Sequence, residues 1–266
     1  MTLQFIHARI GIMTYAIETH GLTRCFGDLR AVDGLDLEVR TGCFYGFLGP
    51  NGAGKSTTIK MLTGLLAPTS GTMRVLDQDL SDYHAAIEIR RRIGVVPEDL
   101  ALFDNLSARE YLTFIGRMYR LPPQTIQDRS QQLLSMMDLD QEDRKLCVEF
   151  SHGMKKKLSL AAALMPNPDV LFLDEPFEGV DAVSSRVLKD TLRRCVERGA
   201  TVFLTSHVLE IVEKLCTDVG IIAKGRLVYQ AGMDHVRQAG SLETLFIQAV
   251  GGQDKVDRQA LTWLEG

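Results

Sequence analysis

No stretch of this chain keeps apolar residues together for the ~20 positions that a membrane-crossing helix needs. The longest such run, Leu158 to Met165, is already interrupted by Ser159, so a chain soluble by itself is expected. The N-terminus, Met1-Thr-Leu-Gln-Phe-Ile-His-Ala-Arg-Ile-Gly-Ile, lacks a basic segment followed by a long apolar one, which argues against a signal peptide. Cysteine is scarce: Cys25, Cys43, Cys147, Cys195 and Cys216 are odd in number and never spaced C-x-x-C, which favours reduced thiols in a cytosolic setting and assigns them no metal. Basic excess is missing as well. A net charge of −4 gives no general attraction to nucleic acid, and none is expected as a partner. Tryptophan occurs once, at Trp263, where it packs on the core or on a partner.

What remains is an ordinary globular composition, 45% hydrophobic and 24% charged over 266 residues, enough for one large domain or two lobes. Within it, Gly49-Pro50-Asn51-Gly52-Ala53-Gly54-Lys55-Ser56-Thr57 matches G-x-x-x-x-G-K-[ST] in full. The apolar run Phe44 to Leu48 before it suits a buried strand, and the spacing of Ile59, Leu62 and Leu66 predicts a helix from Lys55 to Leu66. Strand, loop and helix thus stand in the order a phosphate cradle requires. Gly49, Gly52 and Gly54 let several backbone N–H groups approach a triphosphate, Lys55 can reach its β- and γ-phosphates, and Ser56 can offer a hydroxyl to Mg²⁺. A glycine-rich turn capping an ordinary helix would not need all four fixed positions.

The segments Tyr15 to Phe26 and Ala31 to Val39 alternate as strands of an antiparallel edge, with Phe26-Gly27-Asp28 at the turn between them. An aromatic at that turn either packs or stacks on an adenine ring. Pro68 to Gly71 reads as a turn, Thr72 to Leu76 as a short strand, and the run from Arg90 to Val96 as a strand ended by Pro97, which leaves Glu98 at its carboxyl end. From about Leu100 the pattern turns helical. Ser107-Ala-Arg-Glu110 is a capping box opening a helix to about Tyr119, Pro122-Pro123 stops it, and Thr125 to Met137 forms a second helix, so that about 100–165 reads as an inserted helical lobe. Ser151 suits the N-cap of the alanine- and leucine-rich helix that follows, where it is either a plain cap or, with Gly153, presents a hydroxyl and free N–H groups to an anion, while Lys155-Lys156-Lys157 reads as a solvated run.

Val170 to Leu173 is a continuous apolar run ending in Asp174-Glu175, as expected of a central parallel strand that delivers acids to its carboxyl end. Beside a phosphate loop, Asp174 would hold Mg²⁺ and Glu175 would orient or deprotonate the water attacking the γ-phosphate. The strand Ala200 to Ser206 repeats the device, with His207 at its tip placed to hydrogen-bond the γ-phosphate or that water.

These motifs, in this order, resemble the ATP-binding subunits of ABC transporters over about 14–232. The resemblance implies an α/β P-loop NTPase core with a mostly parallel sheet, an antiparallel β edge subdomain and an inserted α-helical lobe. By it, Gly49 to Thr57 is similar to the Walker A loop, Asp174 and Glu175 to the Walker B acids, and Ser151-His-Gly-Met to the signature motif. Gly179-Val-Asp181 looks like the D-loop, His207 the switch histidine and Phe26 the adenine-stacking aromatic. Glu98 stands where glutamine usually senses Mg²⁺, His152 and Met154 replace glycine and glutamine in the signature, and Val180 replaces leucine in the D-loop. Glu98, Met154 and the run Asn51 to Leu65 resemble the branch serving ABC-2-type exporters.

The resemblance further implies ATP and Mg²⁺ as ligands, a dimer in which Ser151, Gly153 and Asp181 face the other subunit's nucleotide, an integral-membrane permease as partner, and a cytoplasmic location on the inner face of the membrane. A soluble, nucleotide-switched assembly scaffold of the same fold is the alternative. A tandem-cassette factor is disfavoured, because there is one phosphate loop and no long coiled-coil insertion. The expected layout is an extension over 1–12, the ATPase domain over 13–235 and a C-terminal helix and tail over 236–266.

Overall fold

The computed structural model describes residues 14–251. The extension expected over 1–12, Trp263 and the tail beyond Gly251 lie outside them.

The chain opens with a long hairpin, β1 (Tyr15–Phe26) and β2 (Leu29–Arg40), in which Phe26 pairs with Leu29 across the Gly27-Asp28 turn. Next come β3 (Phe44–Leu48), the phosphate-loop segment and α1 (Lys55–Leu62). The strands β4 (Ser70–Val75) and β5 (Gln78–Asp79) complete a four-stranded antiparallel sheet in the order β2-β1-β4-β5. The helix α2 (Tyr83–Arg92) leads into β6 (Ile93–Val96). Between β6 and β7 the chain is helical, with α3 (Ala108–Met118), α4 (Pro123–Met136), two short 3₁₀ turns and α5 (His152–Leu164). It closes with β7 (Val170–Leu173), α6 (Ala182–Glu197), β8 (Thr201–Ser206), α7 (Leu209–Leu215), β9 (Asp218–Ala223), β10 (Arg226–Gly232), α8 (Met233–Ala239) and α9 (Leu242–Val250).

The second sheet runs β10-β9-β3-β8-β7-β6, parallel except for the β10 edge. Alternation along β3 divides the core between two layers. Tyr45 and Phe47 face the antiparallel sheet and meet Phe203 at 5.5 and 5.3 Å between ring centres, whereas Phe44 and Leu48 join the apolar residues of α3, α4 and α5. In register, Leu48 lies beside Ser206, Leu204 beside Leu173 and Leu173 beside Val96. Four parallel strands therefore end along one edge, β3 and β8 two residues beyond β7 and β6, and such an edge is where an open α/β sheet collects its ligand-binding residues.

Four local expectations are corrected. The helix predicted from Lys55 to Leu66 ends at Leu62, because Gly64 takes a left-handed φ of 69° and the N–H of Leu65 turns back to the Lys60 carbonyl. Leu66 lies past that end, half-buried against the core. The strand predicted over Thr72 to Leu76 is shifted to Ser70–Val75, since pairing with β1 begins at Ser70. Arg90 to Arg92 belong to α2 rather than to the strand: the helix that Asp82 caps runs on to Arg92, and its last turn, at the negative end of the dipole, favours these three cations. Lastly, the lysines of α5 are not a solvated run: Lys156 and Lys157 are 2% and 6% exposed. From Lys156 to Leu164 every residue of α5 is buried, so the helix is covered on all sides and encloses these two lysines with it.

Candidate functional site

At the carboxyl edge of the parallel sheet, the loop after β3 wraps the start of α1. Gly54 caps the helix with φ 109°, where a side chain would run into the Ala31 carbonyl, and a methyl on Gly49 would run into the Ile222 carbonyl. Both positions demand glycine for conformation or space. No side chain caps α1 and no acid lies in its first turn, so its leading N–H groups and the positive end of its dipole are open to an anion. The loop is braced from outside: Gly225 donates to the Ala53 carbonyl at 3.0 Å, and Asp33 donates to the Gly225 carbonyl at 2.9 Å. Its geometry is set before any ligand arrives.

A cleft of about 670 Å³ opens over this loop. Phe26 stands at one end, 47% exposed, with the Arg24 guanidinium 4.7 Å from its ring centre. Lys55 and Glu175 lie in the floor, and Ser56, Glu98 and His207 at the sides. The Lys55 ammonium donates to the Gly49 carbonyl at 2.8 Å and sits 3.5 Å from Glu175 Oε1. His207 Nδ1 is 3.1 Å from Glu175 Oε2. Glu175 Oε1 is buried and receives no aligned hydrogen bond, its charge being met by the Lys55 ammonium. The Ser56 hydroxyl approaches Glu98 Oε2 at 3.5 Å.

Beneath Glu175 a relay fixes the strand ends. The Thr205 hydroxyl donates to Asp174 Oδ1 at 2.6 Å and accepts the N–H of Glu175 at 3.0 Å. Asp174 is thus buried behind the cleft, not in its lining. Among the described residues no three His, Cys, Asp or Glu side chains converge as a metal cage. The donor set suits Mg²⁺ in another way, since that ion keeps waters and substrate phosphate oxygens beside one or two protein oxygens. Ser56 and Glu98 supply such oxygens together.

Ser151, Gly153 and Asp181 are absent from the cleft lining and form a cluster of their own. Ser151 accepts the N–H of Met154 at 3.2 Å as the cap of α5, and Asp181 Oδ1 accepts those of Val183 and Ser184 as the cap of α6. The N–H of Ser184 foremost, with its hydroxyl, holds the Asp181 carboxyl below the usual carboxylate range. A methyl on Gly153 would lie 2.9 Å from Asp181 and from Ser184, and His152 Nε2 lies 3.2 Å from the Glu178 carbonyl. The two motifs therefore pack on each other within the chain while Ser151 and Asp181 stay exposed.

Sequence reasoning missed Thr205 and Lys156. Thr205 could have been noticed as a polar residue inside an apolar strand, and Lys156 by its place at the start of a helix that, apart from Ser159, is apolar from Leu158 on.

Fold and site together define a P-loop ATPase. Residues 32–178 match the family model described as ABC transporter, and the chain belongs to the ATP-binding proteins of that family. It is 36% identical over 248 residues to the daunorubicin/doxorubicin resistance ATP-binding protein DrrA of Streptomyces peucetius, a match spanning 93% of this chain and 74% of that one. To the bacitracin transport ATP-binding protein BcrA of Bacillus licheniformis it is 37% identical, over 85% of this chain and 72% of that one. Among solved structures, an ATP-binding subunit of an ABC transporter superposes with a TM-score of 0.81 at 27% identity, over 89% of this chain and 99% of the other. The protein is an ATPase of the ABC transporter type.

Proposed function

We propose that the cleft binds ATP with its adenine against Phe26 and its β- and γ-phosphates between Lys55 and the N–H groups of the loop Gly49 to Thr57. Glu175 orients and deprotonates the attacking water, His207 steadies Glu175 and the γ-phosphate, and ATP plus water gives ADP plus phosphate. Ser56 and Glu98 would hold Mg²⁺, with Asp174 acting on it from behind through water. When bound, the ion would neutralise negative charge on the phosphates. One observation carries this reading: Glu175 Oε1, buried yet without an aligned partner, beside the Lys55 ammonium.

The separation of Ser151, Gly153 and Asp181 from the cleft supports a site completed by a second subunit, whose own cluster would cover the exposed γ-phosphate side. Such a dimer closes on ATP and drives a permease in the membrane, which holds the subunit at the inner face of that membrane. The relatives, named for drug resistance and bacitracin transport, support export over the assembly scaffold. The shared site is tested by mixing two dead variants. Lys55→Ala and Ser151→Ala homodimers should each be nearly inactive, because each lesion spoils both sites. In a mixed dimer one site gathers both lesions and the other is intact, so mixing should restore part of the hydrolysis. If folded variants give no rescue, and a Glu175→Gln protein forms no dimer on ATP, the shared site is wrong and a monomeric switch is favoured.

A further inference from the structure

The second lysine of α5 is buried to 2% exposure, although a lysine on a helix surface ordinarily keeps its ammonium in water. Its Nζ donates at 3.0 Å to the backbone carbonyl of Glu175. Burial pulls the Lys156 pKa below the ordinary lysine range, and the acids Glu178, Asp174, Glu98 and Glu175 work against that shift. Withdrawing an ammonium from water is unfavourable, and a buried one is retained where it meets a partner or a task. Here the partner is a main-chain oxygen of the residue that carries the buried carboxylate.

That residue has an unusual backbone. Glu175 sits at φ 46°, in the left-handed region that residues with a Cβ seldom occupy. Something must hold it there, and both ends of the residue are held. Its N–H donates to the Thr205 hydroxyl at 3.0 Å, and its carbonyl accepts from Lys156 at 3.0 Å and from the N–H of Glu178 at 3.2 Å. With the backbone pinned in this conformation, the side chain leaves the strand end toward Lys55 and His207.

We infer that Lys156 is a positioning residue for Glu175, its ammonium fixing the Glu175 carbonyl so that the carboxylate stays between Lys55 and His207. The inference rests on the reading of Glu175 as the group that acts on water. Lys156 does not line the cleft and works through the main chain of its neighbour. Because α5 begins at the Ser151 cap, one short helix runs from the signature motif to the backbone of Glu175. A tilt of α5 would move both.

The test compares Lys156→Met, which fills the volume without a donor, with Lys156→Gln, which keeps a donor on a neutral head. For each, kcat, KM, calorimetric ATP affinity and melting temperature are measured, with Glu175→Gln alongside. Misplacing a reacting group by about an ångström costs up to ~100-fold, so Lys156→Met should lose about 10- to 100-fold in kcat while ATP affinity stays within about threefold. Lys156→Gln should recover at least about threefold of that loss. A Lys156→Met enzyme with kcat within about twofold of the parent, a loss of ATP affinity parallel to kcat, or a Gln variant no faster than Met would each overturn the inference. Should Lys156→Met fail to fold, Lys156→Ala, in which water can enter the space, carries the same expected and overturning results. If Glu175→Gln hydrolyses ATP at the parent rate, the reading of Glu175 falls instead. An inactive Glu175→Gln beside a normal Lys156→Met removes the Lys156 inference alone.

Discussion

Two carboxylates at strand ends stand in different surroundings, and the roles proposed for them differ accordingly. Glu175 is buried beside the Lys55 ammonium, while Glu98 is exposed at the cleft wall beside the Ser56 hydroxyl. A carboxylate binds a hard cation better than an amide does. Glu98→Gln should therefore stay folded, keep its ATP affinity and need a several-fold higher Mg²⁺ concentration for half-maximal hydrolysis. Superimposable Mg²⁺ titrations of the two proteins would move Glu98 out of the metal's reach and point to a role in contacting a partner.

Individual elements are secured by their ends. The helix α3 carries a complete capping box: the Ser107 hydroxyl accepts the N–H of Glu110 at 3.3 Å, and the Glu110 carboxylate accepts that of Ser107 at 2.8 Å. The N–H of Ser107 also holds the Glu110 carboxyl below its ordinary range. Replacing such a cap by alanine costs ~1 kcal/mol. In a chain of this size, Ser107→Ala should then lower the melting temperature by about 2–4 °C, with no change in ATP affinity, since α3 is remote from the cleft lining. A melting temperature identical to the parent's would mean that the second half of the box suffices. Helix α1 shows the opposite design, for its first turn is left uncapped and its N–H groups are free for phosphate.

For the molecule as a whole, the two core layers that meet on the parallel sheet also seal its thiols. Cys43, Cys147, Cys195 and Cys216 are buried and Cys25 is half-exposed. Burial raises the pKa of all four buried thiols, Cys43 to about 12, so that little thiolate exists near pH 8. Native protein at pH 8 should react with a thiol reagent at Cys25 alone, and denatured protein at all five cysteines. Fast reaction of a second thiol, located by peptide mapping, would show that a core layer opens more readily than its packing suggests. Among the described residues no helix is long and apolar enough to cross a membrane.

Much of this protein is legible in one dimension because its chemistry is carried by contiguous runs. The loop Gly49 to Thr57, the strand ending in Asp174-Glu175 and the capping box at Ser107 each need neighbours only a few residues away, and local spacing reveals them. What sequence could not decide was whatever depends on distant segments. The end of α1 at Leu62 is set by one left-handed glycine in competition with a continuing apolar face, and pattern alone favoured the face. The bracing of the loop by Gly225 joins residues far apart in the chain. Lys156 looked like one of three solvated lysines until α5 was enclosed by its neighbours, which buried it against the Glu175 carbonyl. Charge and local periodicity determine which residues can serve, but burial is a property of the assembled layers. Only the tertiary structure therefore decided which lysine is pinned beneath the acid and which acid is buried between Lys55 and His207.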